Sequence, residues 1–461
     1  MSKSTLESLP NELLLMIFGY LSSFDLCQAF LDVKNARIEH LLTSIRHTLD
    51  VSSMHYNQLR QFLSNINNDT TKHFTALIDT VVFRHSPGCM MFLDYWEKAL
   101  NDTALFNMLL PSIKQLLILN ADYYQYGLID PLLISLAFHN NTLQRLNLIF
   151  DTPTYPYSSI LSDLVLHHIS VHTMILEVEK GHEFDPDDGL EDLHKMQQLY
   201  WPNTVQLTLS IQHSSELMLL LQRGALPMIE HLNVTNEEIR TVLPLDRHKS
   251  VGNIQLCEND LRQIGDGTRL RSLLLRYFTL TDVIILIGSL SMPLLEQLIL
   301  VDLYDHKSIE RSHRVAIVKQ ILDASPNLSH LKIHWKDFRH CSQTYSNLKH
   351  VHFVLDRLFP EPKQHINVRQ LTQLVPHLYS LETSDANIIY DENLVKFVLK
   401  IIHRFHQLVY LRLNKDGLYP VKEEKKIMFK ERLIAAGHNR LFDCNNIQIE
   451  FPGYNGLCIW L

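Results

Sequence analysis

The sequence lacks most of the features that assign a protein class at sight. Its six cysteines, Cys27, Cys89, Cys257, Cys341, Cys444 and Cys458, are scattered over 461 residues, and none forms a CxxC pair. Zinc-ribbon and thioredoxin-like readings therefore have no footing. So few cysteines in so long a chain read as small buried apolar groups in a reducing compartment. Positive charge is not in excess: 42 Lys and Arg stand against 50 Asp and Glu, a formal net charge of −8 at pH 7. Without a basic cluster, counter-ion release from phosphates supplies little affinity, so no nucleic-acid partner is expected. Long hydrophobic runs are missing as well. The longest uncharged apolar stretch, 283–295, lies between Asp282 and Glu296 and is short of the ~20 residues a bilayer requires. Residues 13–18 follow Glu7 and Glu12 rather than a basic region, unlike a signal peptide. No membrane partner is expected, and the expected location is cytoplasmic, nuclear or both.

Catalytic motifs are also missing: the chain has no Walker loop, no GxSxG and no HExxH. Gly265-Asp266-Gly267 lacks a third glycine and opens no long helix, so it reads as a turn. No acid pair or nucleophile–base arrangement stands out. The expectation is a protein without catalytic residues, cofactor or metal; an α/β enzyme with an unrecognised site is the weaker alternative. With 46% hydrophobic and 20% charged residues and no low-complexity segment, the chain is globular.

The first 50 residues differ from the rest. Pro10 suits a first helical position, where its missing N–H costs nothing, and Glu12 favours the positive end of the helix dipole. Leu13, Ile17 and Tyr20/Leu21 recur at spacings of three and four, giving one apolar face, while Leu14, Leu15 and Phe18 extend it around the helix. One neighbouring layer cannot cover that much apolar surface. Ser22 or Ser23 then caps a second helix carrying Leu26, Ala29, Phe30 and Val33. A third begins near Asn35, with Ile38, Leu41, Leu42 and Ile45. Three short helices form a small core that is expected to complete its burial against a partner.

This stretch resembles an F-box in Leu9, Pro10, Glu12, Leu13, Ile17, Tyr20, Leu21, Asp25 and Leu26. It departs from that family where Leu31-Asp32-Val33 and Arg37-Ile38-Glu39 replace a Val-Cys pair and a Trp. The resemblance implies docking, through Leu9, Pro10, Glu12, Leu13, Ile17, Tyr20, Leu21 and Leu26, onto the Skp-type linker subunit of an SCF ubiquitin ligase. Through that subunit it implies association with the cullin/RING core.

After residue 75 one pattern keeps returning: an apolar residue, two others, an apolar residue, one other, an apolar residue. It occurs at Ile78/Val81/Phe83, Ile113/Leu116/Ile118, Leu143/Leu146/Leu148, Val171/Met174/Leu176, Thr204/Leu207/Leu209, Ile229/Leu232/Val234 and Val251/Ile254/Leu256. It continues at Leu270/Leu273/Leu275, Leu295/Leu298/Leu300, Leu328/Leu331/Ile333, Leu348/Val351/Phe353, more weakly at Leu378/Leu381, then at Leu408/Leu411/Leu413 and Cys444/Ile447/Ile449. Roughly 13 steps of about 28 residues resemble the irregular end of the leucine-rich-repeat family. The last two apolar positions lie two apart and point to one side of a short strand. Helical stretches at 132–138, 160–167, 217–221, 283–288 and 314–322 lie between the strands. The expected fold is α/β: a three-helix F-box-like module (1–47), a connecting strand and helix (48–75), and a curved solenoid (76–461) with a parallel sheet on the concave face and helices on the convex face. Residues 447–451 and 457–461 are expected to be strands closing the last repeat, after a charged helix over 422–436.

The same alternation assigns outward positions. His330, Lys332 and His334 share one strand and His350 and His352 the next, so His330 is expected beside His350. Arg145, His231, Arg276, Tyr410 and Arg412 are placed on the concave face by the same rule. These ten residues form the expected binding face for an unidentified protein target. A flat row of histidines makes a poor metal cage. Binding through it is expected to strengthen as pH falls from about 7.5 to 6, near the ordinary histidine pKa. The functional expectation is a substrate-recognition adaptor of a ubiquitin ligase, with a non-catalytic scaffold carrying a degenerate F-box as the alternative.

Overall fold

The structure is a computed structural model. It describes residues 8–22, 25–26, 29, 35–45, 47–54, 56–64, 77–84, 89, 91–92, 113–121, 143–150, 160, 164–165, 169–178, 199–211, 217, 225–236, 269–276, 292–301, 311–355, 366–384, 390–414, 422–437, 447–452 and 456–461. The chain divides into two compact units, Met1–Ile229 with Asn236–Gln255, and Glu230–Thr235 with Leu256–Leu461.

The first unit begins with helix α1 (Asn11–Tyr20), a helical segment at Asp25 and Leu26, and α2 (Ala36–Ser44). Pro10 is the residue before α1 rather than its first helical residue, and its carbonyl accepts from Leu14 N at 3.1 Å. The advantage of proline is unchanged, because the missing N–H would have had no helical partner there either. Ser22 is the capping residue of the second helix: its Oγ accepts from Asp25 N at 3.1 Å and donates to the Asp25 carboxylate at 2.6 Å. Asn35 caps α2 by accepting from Arg37 N and Ile38 N. Arg37 ties the two ends together, donating to Asn11 Oδ1 at 2.7 Å and to the Leu9 carbonyl. Buried His47 reaches back to the Leu42 carbonyl at 2.6 Å, a group that a helix C-terminus leaves without an intrahelical donor.

Strand β1 (His47–Asp50) and α3 (Tyr56–Ser64) follow, then β2 (Ile78–Arg84), β3 (Gln115–Ala121), β4 (Arg145–Phe150), β5 (Thr173–Val178) and β6 (Gln206–Ile211). All six strands pair in parallel, in sequence order. Val81, Leu116, Leu146, Met174 and Leu207 align across the sheet, as do Phe83, Ile118, Leu148, Leu176 and Leu209, and all ten are buried. Ile160, Leu164, Val165 and Leu217 are helical and buried, as the spacing between strands requires. The expected helices at 132–138 and 283–288 lie outside the described residues.

The second unit repeats the arrangement with β7 (His231–Asn236), β8 (Ser272–Arg276), β9 (Gln297–Val301), β10 (His330–His334), β11 (His350–Val354), β12 (Ser380–Ser384) and β13 (Tyr410–Asn414). Helices α4 (Arg311–Ala324), α6 (Val368–Leu374) and α7 (Glu392–Arg404) run between strands, and the short α5 (Trp335–Phe338) follows β10 directly. Leu232, Leu273, Leu298, Leu331, Val351, Leu381 and Leu411 form one buried row. Below it, Trp335 and Phe338 pack on Phe353 at ring distances of 4.9 and 5.4 Å. Strands β9, β10, β11 and β13 are each preceded by a tight turn, in which Leu295, Leu328, Leu348 and Leu408 respectively donate to the carbonyl three residues back. Asn327 and Asn347 cross-link successive turns, each donating its amide to a carbonyl of the preceding turn, Pro293 and Pro326 respectively, at 2.7 Å.

One proposed repeat unit lies outside the described residues and another is not a parallel repeat. β7 pairs residue for residue with β8, from His231↔Ser272 to Thr235↔Arg276. Val251, Ile254 and Leu256 lie outside the described residues. Ile449 lies in β14 (Gln448–Glu450), antiparallel to β15 (Gly456–Trp460), which is itself antiparallel to β13. The chain passes through α8 (Glu423–Gly437) and returns as a hairpin, so the last units close the sheet instead of extending it. Only three-residue β14 is left at that edge, which limits edge-to-edge pairing.

No helix among the described residues is long and apolar enough to cross a membrane. Cys89, Cys341 and Cys458 are buried thiols outside any disulfide.

Candidate functional site

Two surfaces carry the candidate residues. On α1, Leu14 and Phe18 face inward and form a cluster with Leu26, Ile38, Leu41 and Leu42. Leu9, Leu15, Ile17 and Leu21 pack partly against it. The apolar residues left outside are Leu13 (44% exposed), Met16 (58%) and Tyr20 (86%), spaced as one helical stripe. Pro10 and Glu12 are exposed too. The sequence grouped Leu13, Ile17 and Tyr20/Leu21 as a single face; the structure turns that grouping by about one residue, because Leu14 and Phe18 are the pair the other helices cover. Leu31, Asp32 and Val33 lie outside the described residues.

The second surface is the outward face of the second unit's sheet. Its first row runs His231, Ser272, Gln297, His330, His350, Ser380 and Tyr410, and its second Asn233, Leu274, Ile299, Lys332, His352, Glu382 and Arg412. His330 and His350 are partners in register, and their rings stack at 4.1 Å with 9° between planes. Tyr379 continues the aromatic surface 6.5 Å from His350, and Lys349 Nζ lies 5.9 Å from the Tyr379 ring centre. His334 and Arg276 sit one row further along. Arg145 belongs to the first unit, between Gln115 and Thr173 in register. Of the ten residues, nine lie in the second unit and one in the first.

Glu382, absent from the sequence-based list, stands between His352 and Arg412. Its carboxylate is 3.9 Å from His352 Nδ1 and 4.0 Å from Arg412 Nη1. Burial and then the flanking cations Lys332 and Arg412 hold His352 down to about 4. At 3.9 Å the Glu382 contact is too long for a hydrogen bond, and the imidazole is instead within 2.9 Å of Ser384 Oγ; at neutral pH it is a neutral ring. Burial also lowers His330, against an upward pull from Glu296, and burial, His330 and Lys349 lower His350. The acid window of His352 therefore lies below the 7.5-to-6 interval expected from the ordinary histidine value, and those of His330 and His350 shift in the same direction.

All three histidines have folded-state values below the unfolded value of about 6.5, so the folded unit binds fewer protons than the unfolded chain. The stability they contribute is complete above pH 6.5 and is lost as pH falls through each lowered folded-state value, which for His352 is about 4. The expected loss attributable to His352 is on the order of 2 kcal/mol after allowance for its partial exposure. Urea unfolding between pH 7 and 4.5 reads this directly, and His352→Gln should flatten the profile. An unchanged slope in that variant would remove His352 as the cause.

A hollow of about 420 Å³ opens on the same face, lined by Glu230, His231, Arg271, Ser272, Glu296, Gln297 and His330. Arg271 lies between two carboxylates, with Nε 3.5 Å from Glu230 and Nη1 3.2 Å from Glu296. Sequence reading missed all three, because they precede the strands and fall outside its alternation rule. The available signal was their equal offset, one residue ahead of His231, Ser272 and Gln297. No group of three or more metal-ligating side chains occurs among the described residues.

In comparisons with known proteins, the chain matches no family model and no curated protein.

Proposed function

We propose that the chain is a substrate-recognition adaptor of an SCF-type ubiquitin ligase, its N-terminal helices acting as an F-box and its strand–helix units as an irregular leucine-rich-repeat solenoid. The observation that carries this reading is the stripe of Leu13, Met16 and Tyr20, exposed on a helix whose opposite side is buried. Exposed apolar surface of this kind marks a binding site, and here it coincides with the Leu-Pro-x-Glu motif at residues 9–12. The helices dock on a Skp-type linker subunit and through it on the cullin/RING core, in the cytoplasm or nucleus. The outward sheet face holds a protein target. The adaptor does no chemistry; it raises the effective concentration of a target lysine near a ubiquitin-loaded enzyme.

Affinity purification of the full chain followed by mass spectrometry tests this. The expected eluate contains a linker subunit and a cullin. Their absence would leave a non-catalytic interaction scaffold, a reading favoured by the lack of a Trp in α2.

A further inference from the structure

The hollow at the start of β7, β8, β9 and β10 has an unbalanced charge set. Two carboxylates, Glu230 and Glu296, share one guanidinium, Arg271, at 3.5 and 3.2 Å. An ionised carboxylate has about four lone-pair sites. The two side chains line the hollow and are 39% and 57% exposed, so both keep acceptor capacity beyond their contacts with Arg271. The floor is internally satisfied, since Ser272 Oγ donates to Gln297 Oε1 at 2.9 Å.

One wall is a flat ring. His330 is stacked on His350 at 4.1 Å, and its Nδ1 lies 2.8 Å from Ser329 Oγ, so its orientation is fixed from two sides. The combination is specific: excess carboxylate, an oriented π face, and a volume of about 420 Å³, within the ~300–1,000 Å³ range of ligand pockets. An anion is repelled. A metal ion lacks a third ligating side chain among the described residues. A lysine ammonium gains the charge but cannot stack. A guanidinium does both, because it is planar, presents several donors and stacks on ring faces.

We propose that the hollow receives an arginine side chain of the bound target protein, its guanidinium hydrogen-bonded to Glu296 and lying against His330. The incoming group completes an alternating series of carboxylate, guanidinium, carboxylate and guanidinium, with Arg271 inside it. This rests on the outward sheet face being the target surface, and it narrows the target to one presenting an exposed arginine.

The test is a saturation-transfer NMR titration of the full-length chain with blocked Gly-Arg-Gly, Gly-Lys-Gly and Gly-Glu-Gly peptides at pH 7.5. The arginine peptide should bind saturably, the lysine peptide about tenfold more weakly and the glutamate peptide not at all. Glu296→Gln and His330→Ala should each weaken the arginine peptide about tenfold, as loss of a charge-assisted hydrogen bond or a stacking face predicts. Both side chains are solvent-accessible, so unchanged melting curves will confirm that the variants fold. Non-saturable binding of the arginine peptide overturns the proposal, as does equal binding of lysine, or wild-type affinity in both variants. No linker subunit takes part, so this result and the affinity purification succeed or fail separately.

Discussion

Replacing Leu298 by Ala is expected to destabilise the second unit by about 2–5 kcal/mol. Leu298 is fully buried and pairs in register with Leu273 on one side and Leu331 on the other. Its strand is hydrogen-bonded in parallel to both neighbours, so the cavity left by the missing methyl groups cannot close without shifting two other strands. That limits relaxation and places the cost in the range for rigid core sites. Leu294, four residues earlier in the turn, is 44% exposed, and its replacement by Ala should change stability by about 0.5 kcal/mol or less. Urea denaturation of both variants measures the contrast. Equal losses at the two positions would mean that the alternation of buried and outward residues along β9 is wrong. Because each repeat contacts chiefly its neighbours, the L298A loss should also appear first in amide exchange of β8, β9 and β10.

The second large effect concerns binding. Met16→Asp should weaken association with the linker subunit by about 2 kcal/mol or more, roughly 30-fold, while leaving the melting temperature unchanged. Met16 projects from the exposed stripe, so aspartate there is solvated in the free chain and becomes a desolvated, unpaired charge only in a complex. Ile17, the obvious choice from sequence, is a poorer probe. It packs against the Leu14–Phe18 cluster, and a charge there would unfold the helices and abolish binding for a trivial reason. Quantitative co-purification alongside thermal melting checks both halves of the prediction. Undiminished binding by M16D would detach this stripe from the docking role.

The sequence by itself determined the strand series and its register of buried residues. The spacing in Leu295/Leu298/Leu300, repeated with variation along the chain, leaves little choice: two apolar side chains two residues apart must share one side of a strand, and each such strand has an uncovered face until a similar neighbour stacks on it. That is why the pairing of His330 with His350 could be read from the spacing, and why Leu146, Leu273 and Leu331 are buried in their rows. It also determined where α1 and α2 lie, since capping and apolar spacing are local properties.

Tertiary structure alone decided which side of α1 is covered, because Leu13 and Leu14 are chemically equal and only the position of Leu26, Ile38 and Leu41 breaks the tie. It decided that Ile449 belongs to an antiparallel hairpin, since strand direction depends on the path of the intervening chain and leaves no mark on a three-residue apolar pattern. It brought Glu230, Arg271 and Glu296 together from segments far apart in sequence. Burial and the neighbouring Lys332 and Arg412 likewise moved His352 to about 4, whereas a histidine read from the sequence carries only its ordinary value. Apolar periodicity records what each segment must bury, while charge and polarity at a site depend on distances between segments, which are set only when the whole fold closes.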